Sequence, residues 1–159
     1  PAFRISPEQM GTLREVIALL EFRISIETEA AALAALRRTP DNLVEMKSAL
    51  SAFSSAIEEG RDAVSADHRF HQAIARATQN THFTDLMNSL GTGVIPRARI
   101  SSILSTDPER QNYLRRVNQE HESIYNAVAE QDVEAARAAM RTHLANSRER
   151  LRKSDPDSL

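Results

Sequence analysis

The chain has 159 residues, 41% of them hydrophobic, which is enough for one domain with its own core. It has no cysteine, which excludes disulfides and zinc–thiolate sites, and its net charge of −2 leaves no basic face for nucleic acid. Its apolar runs are too short to cross a bilayer and no signal peptide is visible, so we expect a cytoplasmic protein that is not inserted in a membrane.

Glycine and proline are rare and fall between periodic stretches rich in alanine, leucine, arginine and glutamate, so the sequence predicts an all-α fold. The expected architecture is an antiparallel bundle of six or seven helices with a metal site in its core. In chain order, the predicted helices span about residues 7–38, 41–59, 62–80, 81–104, 107–130 and 133–153.

Capping residues and helix breakers set the predicted helix ends. Ser6 followed by Pro7 is typical of a helix start, and so is Asp107 followed by Pro108. Gly60 is a suitable C-terminal cap for the second helix.

Two of the predicted helices contain candidate breaks, which is why the predicted number is six or seven. The first helix has one near Glu21 and Phe22. The fourth contains Gly91, Gly93 and Pro96, where a kink or a division into two pieces is expected and a cavity can open.

Three apolar helical stripes carry polar side chains that can hold a metal ion. Their members recur every three or four residues, as on one helix face. The stripes are Val64, Asp67, His71, Ile74; Leu114, Val117, His121, Ile124, Val128; and Val133, Ala136, Met140, His143, Ser147. A buried carboxylate is costly unless it is paired with a positive group, so we expect a divalent cation held by Asp67, His71, His121 and His143. Zinc is the first expectation, and nickel, manganese and iron(II) also suit these ligands.

Each of these residues has a simpler interpretation when taken alone. Asp67 and His71 can form a local hydrogen bond on a partly exposed helix, and a single core histidine is more often hydrogen-bonded than a metal ligand. Their joint occurrence favours the metal. His68 points off the stripe and His82 lies at a helix start, so neither is expected to be a ligand.

Arg23 is a second unusual residue, because it falls on the apolar face of the first helix. A guanidinium directed into a bundle favours a planar anion, which predicts a pocket for a carboxylate. The alternatives are an ion pair with Glu27 one turn later, or a side chain that reaches the surface. Arg97 and Arg99 are further candidates for lining the pocket, although a solvated face also accounts for them.

Motifs for catalysis are largely missing from the sequence, which has no glycine-rich phosphate loop, HExxH pair, nucleophile elbow or cysteine nucleophile. A metal-dependent hydrolase or lyase acting on a small carboxylate remains the alternative, since a metal can activate water. Such an enzyme also needs an acid or base beside that water, and only Glu120 and Glu122 flank His121. We therefore expect a protein that is not an enzyme.

The chain resembles the FCD domain, the effector-binding C-terminal half of FadR-like regulators in the GntR superfamily. Four segments carry the resemblance: 23–35 (RISIETEAAALAA), 67–80 (DHRFHQAIARATQN), 120–127 (EHESIYNA) and 132–144 (DVEAARAAMRTHL). Together they extend from the first helix to the last.

The resemblance implies roles for particular residues. In metal-binding members of that family, the positions that match Asp67, His71, His121 and His143 hold the ion. The position that matches Arg23 helps to hold the carboxylate of a small organic acid, while members that respond to acyl-CoA lack the metal set.

The resemblance also implies how the whole protein works, with the organic acid controlling transcription. We expect an FCD-like domain over residues 1–153, a disordered tail over 154–159, and an N-terminal winged-helix domain that this sequence does not contain. The chain starts at Pro1 rather than at methionine, as a trimmed chain would. A homodimer is expected, with DNA bound only through the winged-helix domain.

Overall fold

The protein is described here by a computed structural model, which covers residues 12–91 and 107–154. These two ranges contain six helices: α1 (Leu13–Arg37), α2 (Pro40–Glu58), α3 (Val64–Ala77), α4 (Thr81–Leu90), α5 (Asp107–Ala129) and α6 (Val133–Ser154). No strand occurs in either range, so the predicted all-α class is confirmed for them. None of their helices is both long enough and apolar enough to cross a membrane.

Helix α1 is one continuous helix of 25 residues. The predicted break near Glu21 and Phe22 is wrong. Neither residue is a helix breaker, and Phe22 packs against a small apolar cluster that includes Leu19, so packing supports the helix at this point. The side chain of Thr12 accepts a hydrogen bond from the backbone of Glu15 and caps the helix. The predicted start at Ser6 and Pro7 lies outside the described residues.

The connection from α1 to α2 is a tight cap rather than a loop. Thr39 and Asn42 form a reciprocal capping box, and Pro40 is the first residue of α2. At the other end of α2, Gly60 has a φ of +69°, a left-handed conformation that glycine adopts at little cost. The prediction that Gly60 ends this helix is confirmed.

Helix α3 is shorter than the sequence predicted at both ends. It begins at Val64 because the side chain of Asp62 accepts a hydrogen bond from the Val64 backbone and so stays outside the helix. It ends at Ala77 because Gln79 takes a φ of +57°. Asn80 then caps α4, where its side chain accepts from the backbone of His82.

The predicted break in the fourth helix occurs at Gly91, which follows the last residue of α4 with a φ of +62°. Gly93, Pro96 and the remainder of the predicted helix to residue 104 lie outside the described ranges. The last two helices agree with the prediction to within a residue or so at each end.

Helix α1 occupies the middle of the bundle. It packs along α6 and also contacts α3 and α5, while α2 packs on α3 and α5 and α4 packs on α3. Fully buried alanines line part of α1, including Ala31, Ala34 and Ala35. Such small side chains allow a neighbouring backbone to approach closely. The apolar core extends from these alanines to Phe53 and Phe70.

The interior also contains polar side chains, and they come from four different helices. The most deeply buried charged or titratable groups are Arg23, Glu27, Asp67, His71, His121 and His143, each at most 3% exposed. Helices α1, α3, α5 and α6 therefore enclose a polar region within an otherwise apolar bundle, and this region is the candidate site.

Candidate metal centre

Asp67 and His71 lie one turn apart on α3, and both are buried. Residues at positions i and i+4 of a helix share a face. This face carries Ile74 as well and points into the core rather than to solvent. The alternative of a local contact between the two side chains is therefore right about the contact, since Oδ1 of Asp67 lies 3.2 Å from Nε2 of His71, but wrong about a partly exposed helix.

Three histidines from three helices converge in the interior. His71 of α3, His121 of α5 and His143 of α6 each offer one ring nitrogen, and these nitrogens lie within 4.8 Å of one another. Two nitrogens bound to one zinc ion, each about 2.0–2.1 Å from it, are at most about 4.2 Å apart, so the three rings lie near one another at slightly more than ligand spacing or within it. The predicted histidines are thus brought together although 72 positions separate the first from the last.

Asp67 completes the group. Its Oδ1 atom lies 3.2 Å from Nε2 of His71 and 3.2 Å from Nε2 of His121. Ligand atoms bound side by side to one ion, each about 2.0–2.1 Å from it, are about 3.0–3.4 Å apart. The donor set of one carboxylate and three imidazoles therefore suits a divalent cation in its chemistry, and these two distances suit neighbouring ligands of one ion. The metal itself stays a prediction.

Aromatic rings form one wall of this centre. His121 makes an edge contact with Phe53 at a centroid distance of 5.2 Å and a tilted contact with Phe70 at 4.8 Å. Rings at this distance exclude water and lower the local dielectric constant, which strengthens the electrostatic interactions inside the site.

Glu27 connects α1 to the centre. One of its carboxylate oxygens contacts Nδ1 of His71, and the other accepts a hydrogen bond of 2.6 Å from Nε of Arg23. Burial alone would raise the pKa of Glu27, but the charge of Arg23 and the hydrogen bonds from His71 and Arg23 outweigh burial and hold that pKa well below its usual range. Glu27 is therefore ionised, and Nδ1 of His71 donates the proton in their hydrogen bond.

Glu120 makes an equivalent connection from α5. Its Oε1 atom lies 2.7 Å from Nδ1 of His143, and its carboxylate also accepts from Arg150 and, at 2.9 Å, from Asn146. Burial raises the pKa of Glu120, while the hydrogen bonds from His143 and Arg150 lower it to a net value of about 2. This glutamate is engaged in ion pairing and is not a spare general base.

Neither contact to a histidine is predicted by the sequence. The sequence offers Glu27 only as a partner for Arg23, and Glu120 only as a neighbour of His121. A signal for Glu27 did exist, because it shares a helix face with Arg23 and a buried carboxylate needs partners. The contact of Glu120 with His143 depends on how α5 lies against α6, which the pattern of one helix cannot show.

Arg23 is buried, with 2% of its surface exposed, so it does not reach the surface. The ion pair with Glu27 that the sequence offered as an alternative is present and uses Nε. Within residues 12–91 and 107–154, the two terminal nitrogens of Arg23 donate to no other group. The guanidinium thus keeps the paired donors that a carboxylate ligand needs.

The other candidates lie in different places. His82 is exposed at the start of α4, and Glu122 is exposed on α5. His68 is outside the group of three histidines but is buried at 7% exposure, so its direction off the stripe does not lead to solvent. Burial, together with the nearby His71 and Arg23, lowers its pKa. Arg97 and Arg99 lie outside the described residues.

Comparison with known proteins identifies the family. Residues 18–146 match the FCD domain. The chain is 36% identical over 132 residues to the HTH-type transcriptional regulator LutR of Bacillus subtilis, a match that covers 83% of this chain and 60% of LutR. It is 28% identical over 139 residues to the galactonate operon transcriptional repressor of Escherichia coli, covering 87% of this chain and 58% of the repressor.

A solved structure of a GntR protein from Streptococcus agalactiae has a similar fold, with a TM-score of 0.65 and 22% sequence identity over 84% of this chain and 58% of that one. The chain thus spans about three fifths of the length of these relatives. The curated relatives are named as regulators of transcription and not as enzymes, which agrees with the prediction. The chain belongs to the FCD family, the effector-binding domains of GntR-type transcriptional regulators.

Proposed function

We propose that this domain binds one divalent metal ion through Asp67, His71, His121 and His143, and that a small organic acid binds at that ion as the effector. Zinc suits the ligands best, and nickel, manganese and iron(II) are compatible with them. The observation that carries the proposal is the convergence of three buried imidazole nitrogens within 4.8 Å of one another beside a buried carboxylate.

Charge balance supports an anionic effector. The charges of Arg23 and Glu27 cancel, and so do those of Arg150 and Glu120. With the three imidazoles neutral, Asp67 leaves the centre with one negative charge, which a divalent ion would turn into one positive charge. A buried net charge is costly, so a carboxylate that neutralises it is favoured.

The coordination chemistry gives the effector a place. Four protein ligands would leave two positions open on a six-coordinate ion such as nickel, manganese or iron(II), and zinc would have to expand its coordination to take the acid. In either case a bound metal would supply a Lewis acid for a carboxylate oxygen. Arg23 supplies paired donors on a rigid planar group, which match a second carboxylate or another polar end of the ligand. Arg97 and Arg99 are further candidates for the wall of this pocket.

The relatives suggest the class of acid. The name of the Escherichia coli relative refers to the galactonate operon, and galactonate is a sugar acid with one carboxylate and several hydroxyl groups. A hydroxy acid of this kind can coordinate a metal through both a carboxylate oxygen and an adjacent hydroxyl. We therefore propose small hydroxy acids as the first ligands to test.

In the whole regulator, we propose that an N-terminal winged-helix domain binds DNA and that this domain controls it as part of a homodimer. The relatives named as transcriptional regulators are longer than the matched segment, which supports a larger protein. An effector can act only by binding one conformation more tightly than another, so the acid is expected to shift the spacing of two DNA-binding domains.

Metal content tests the first half of the proposal. The purified protein is expected to contain about one divalent ion per chain, and His121→Ala and His143→Ala are each expected to remove it. His82→Ala is the matched control, since His82 is an exposed histidine outside the centre. Full occupancy in both of the first two variants by elemental analysis would show that the site is wrong.

Calorimetry with acetate, L-lactate and D-galactonate tests the second half, using metal-loaded protein, metal-free protein and Arg23→Lys. Binding is expected only to metal-loaded protein and is expected to weaken in Arg23→Lys, which keeps the charge but loses the planar fork. Arg137→Lys is the control, because Arg137 is a partly exposed residue of α6 that pairs with Glu29 away from the metal centre. Equal affinity in all three proteins, or binding of lactamide as tight as that of lactate, would contradict the carboxylate site.

A further inference from the structure

Two of the three converging histidines are held on their outer nitrogen in the same way. Nδ1 of His71 contacts the carboxylate of Glu27, and Nδ1 of His143 contacts the carboxylate of Glu120. Each of these glutamates is in turn paired with an arginine. The arrangement arises twice from different helices, since Glu27 belongs to α1 and Glu120 to α5.

The contacts from Arg23 through Glu27 to His71 form what we call the first arm, and this arm lies entirely inside the protein. The side chains of Arg23, Glu27 and His71 are between 1% and 4% exposed. Both oxygens of Glu27 are engaged, one by each neighbour, so its carboxylate plane is fixed by two hydrogen bonds. The ring of His71 can then turn only if the ion pair breaks, and Nε2 stays directed at Asp67.

The second arm, which runs from Arg150 through Glu120 to His143, lies nearer to the surface. Glu120 and Arg150 have side chains that are 15% and 17% exposed, against 2% for His143. Asn146 donates a further hydrogen bond to Glu120 from one turn along α6. The outer end of this arm, at Arg150 and Asn146, opens on a shallow surface cavity of about 340 Å³ that Arg116 and Lys153 also line.

We propose that Glu27 and Glu120 are positioning residues of the metal centre, each of which holds one ligand histidine with Nδ1 protonated and Nε2 directed at the ion. This inference rests on the metal site under the proposed function. Neither glutamate touches the metal. Each acts through a histidine, and Arg23 and Arg150 act one step further out by fixing the glutamates.

The physical reason lies in the two nitrogens of a neutral imidazole, of which one carries the proton and the other the lone pair that binds a metal. A carboxylate acceptor at Nδ1 selects the form with its lone pair on Nε2. It also fixes the ring orientation and makes the ligand nitrogen more basic. Loss of such a partner typically lowers metal affinity by about 10- to 100-fold.

The two arms should differ in how much they contribute to metal affinity, because they differ in burial. Water can partly replace the carboxylate of Glu120 near the surface, whereas nothing can replace that of Glu27 inside the bundle. The loss of affinity is therefore expected to be larger for a change at Glu27 than for the same change at Glu120. Glutamine at either position keeps an acceptor and loses the charge, while leucine removes both.

The experiment compares wild type with glutamine and leucine variants at Glu27 and Glu120. It measures zinc affinity by competition with a chromophoric chelator. It also measures the visible absorption of the cobalt(II)-loaded protein. Glu29→Gln and Glu122→Gln are matched controls, each two residues further along the same helix and exposed. We expect losses of zinc affinity within about 10- to 100-fold, larger with leucine than with glutamine at each position and larger at Glu27 than at Glu120. The cobalt absorption is expected to change in both series, because the ligand geometry changes.

The outcomes separate this inference from the proposed function. If the wild-type chain binds no zinc, the metal site itself fails and this inference falls with it. If wild type binds zinc but both glutamine and leucine variants match the controls in affinity and cobalt absorption, the metal site stands and the positioning role is wrong. If Glu27→Leu does not fold, Glu120→Leu, which lies nearer the surface, decides the question in the same two measurements.

Discussion

Helix α1 carries two glutamates, two residues apart, that each pair with an arginine but have different surroundings. Glu27 pairs with Arg23 inside the bundle, where both side chains are at most 4% exposed. Glu29 pairs with Arg137 of α6 on the outside, where the two side chains are 53% and 31% exposed. Within residues 12–91 and 107–154, Glu29 contacts no histidine, whereas Glu27 contacts His71.

Both glutamates are paired with an arginine, but only the buried pair belongs to the candidate site. Burial therefore matters more than pairing. Water and salt screen the outer pair, and such pairs contribute little to stability. The inner pair has lost its water and depends on each of its hydrogen bonds, so removing one partner leaves the others uncompensated. The same residue types on one helix therefore have different consequences.

The largest expected effect comes from removing the inner carboxylate. Glu27→Ala leaves a buried guanidinium without its counter-ion and takes away the acceptor of His71, so the free energy of unfolding of metal-free protein should fall by about 3–5 kcal/mol. Urea denaturation followed by circular dichroism measures this. A fall as small as that of an exposed substitution would mean that Arg23 and His71 find other partners in the bundle.

A smaller effect is expected from removing the metal. An ion that binds only the folded chain stabilises it by about 2.7 kcal/mol when its free concentration is a hundred times its dissociation constant. Adding a chelator should therefore lower the melting temperature of wild type and of Glu29→Gln equally, and that of His121→Ala much less. Identical melting curves for wild type before and after verified metal removal would contradict a site that joins three helices.

The smallest effect is expected at the outer pair. Glu29→Gln removes a charge from the outer ion pair, in which the hydrogen bond from Arg137 lowers the pKa of Glu29. Arg137 keeps Glu134 as a second partner. Neither the melting temperature nor the zinc affinity should change measurably. A marked loss of zinc affinity in this variant would show that the difference between the inner and outer pairs has been overstated.

Most of the fold could be predicted from local chemistry. Gly60 and Gly91 end helices because they take positive φ angles, and Pro40 begins one after the cap at Thr39. The errors lie where tertiary packing or a side-chain bond intervenes. Phe22 is held in a continuous helix by the apolar cluster around Leu19, and Asp62 stays outside α3 by capping Val64.

The sequence alone determined that the four predicted ligands face the interior, because a period of three to four positions places Asp67, His71, His121 and His143 on buried faces of three helices. It also determined the family, since four segments in one order carry the resemblance. The buried face can be read from one helix at a time, and the resemblance can be read from the order of the segments along the chain.

Only the tertiary structure decided what surrounds those residues. The periodicity of a helix gives the direction of a side chain around its own axis, but not the distance or rotation of the neighbouring helices. The contact of Glu27 with His71 joins α1 to α3, and that of Glu120 with His143 joins α5 to α6. These contacts depend on how close-packed helices settle against one another, which is a property of the whole core.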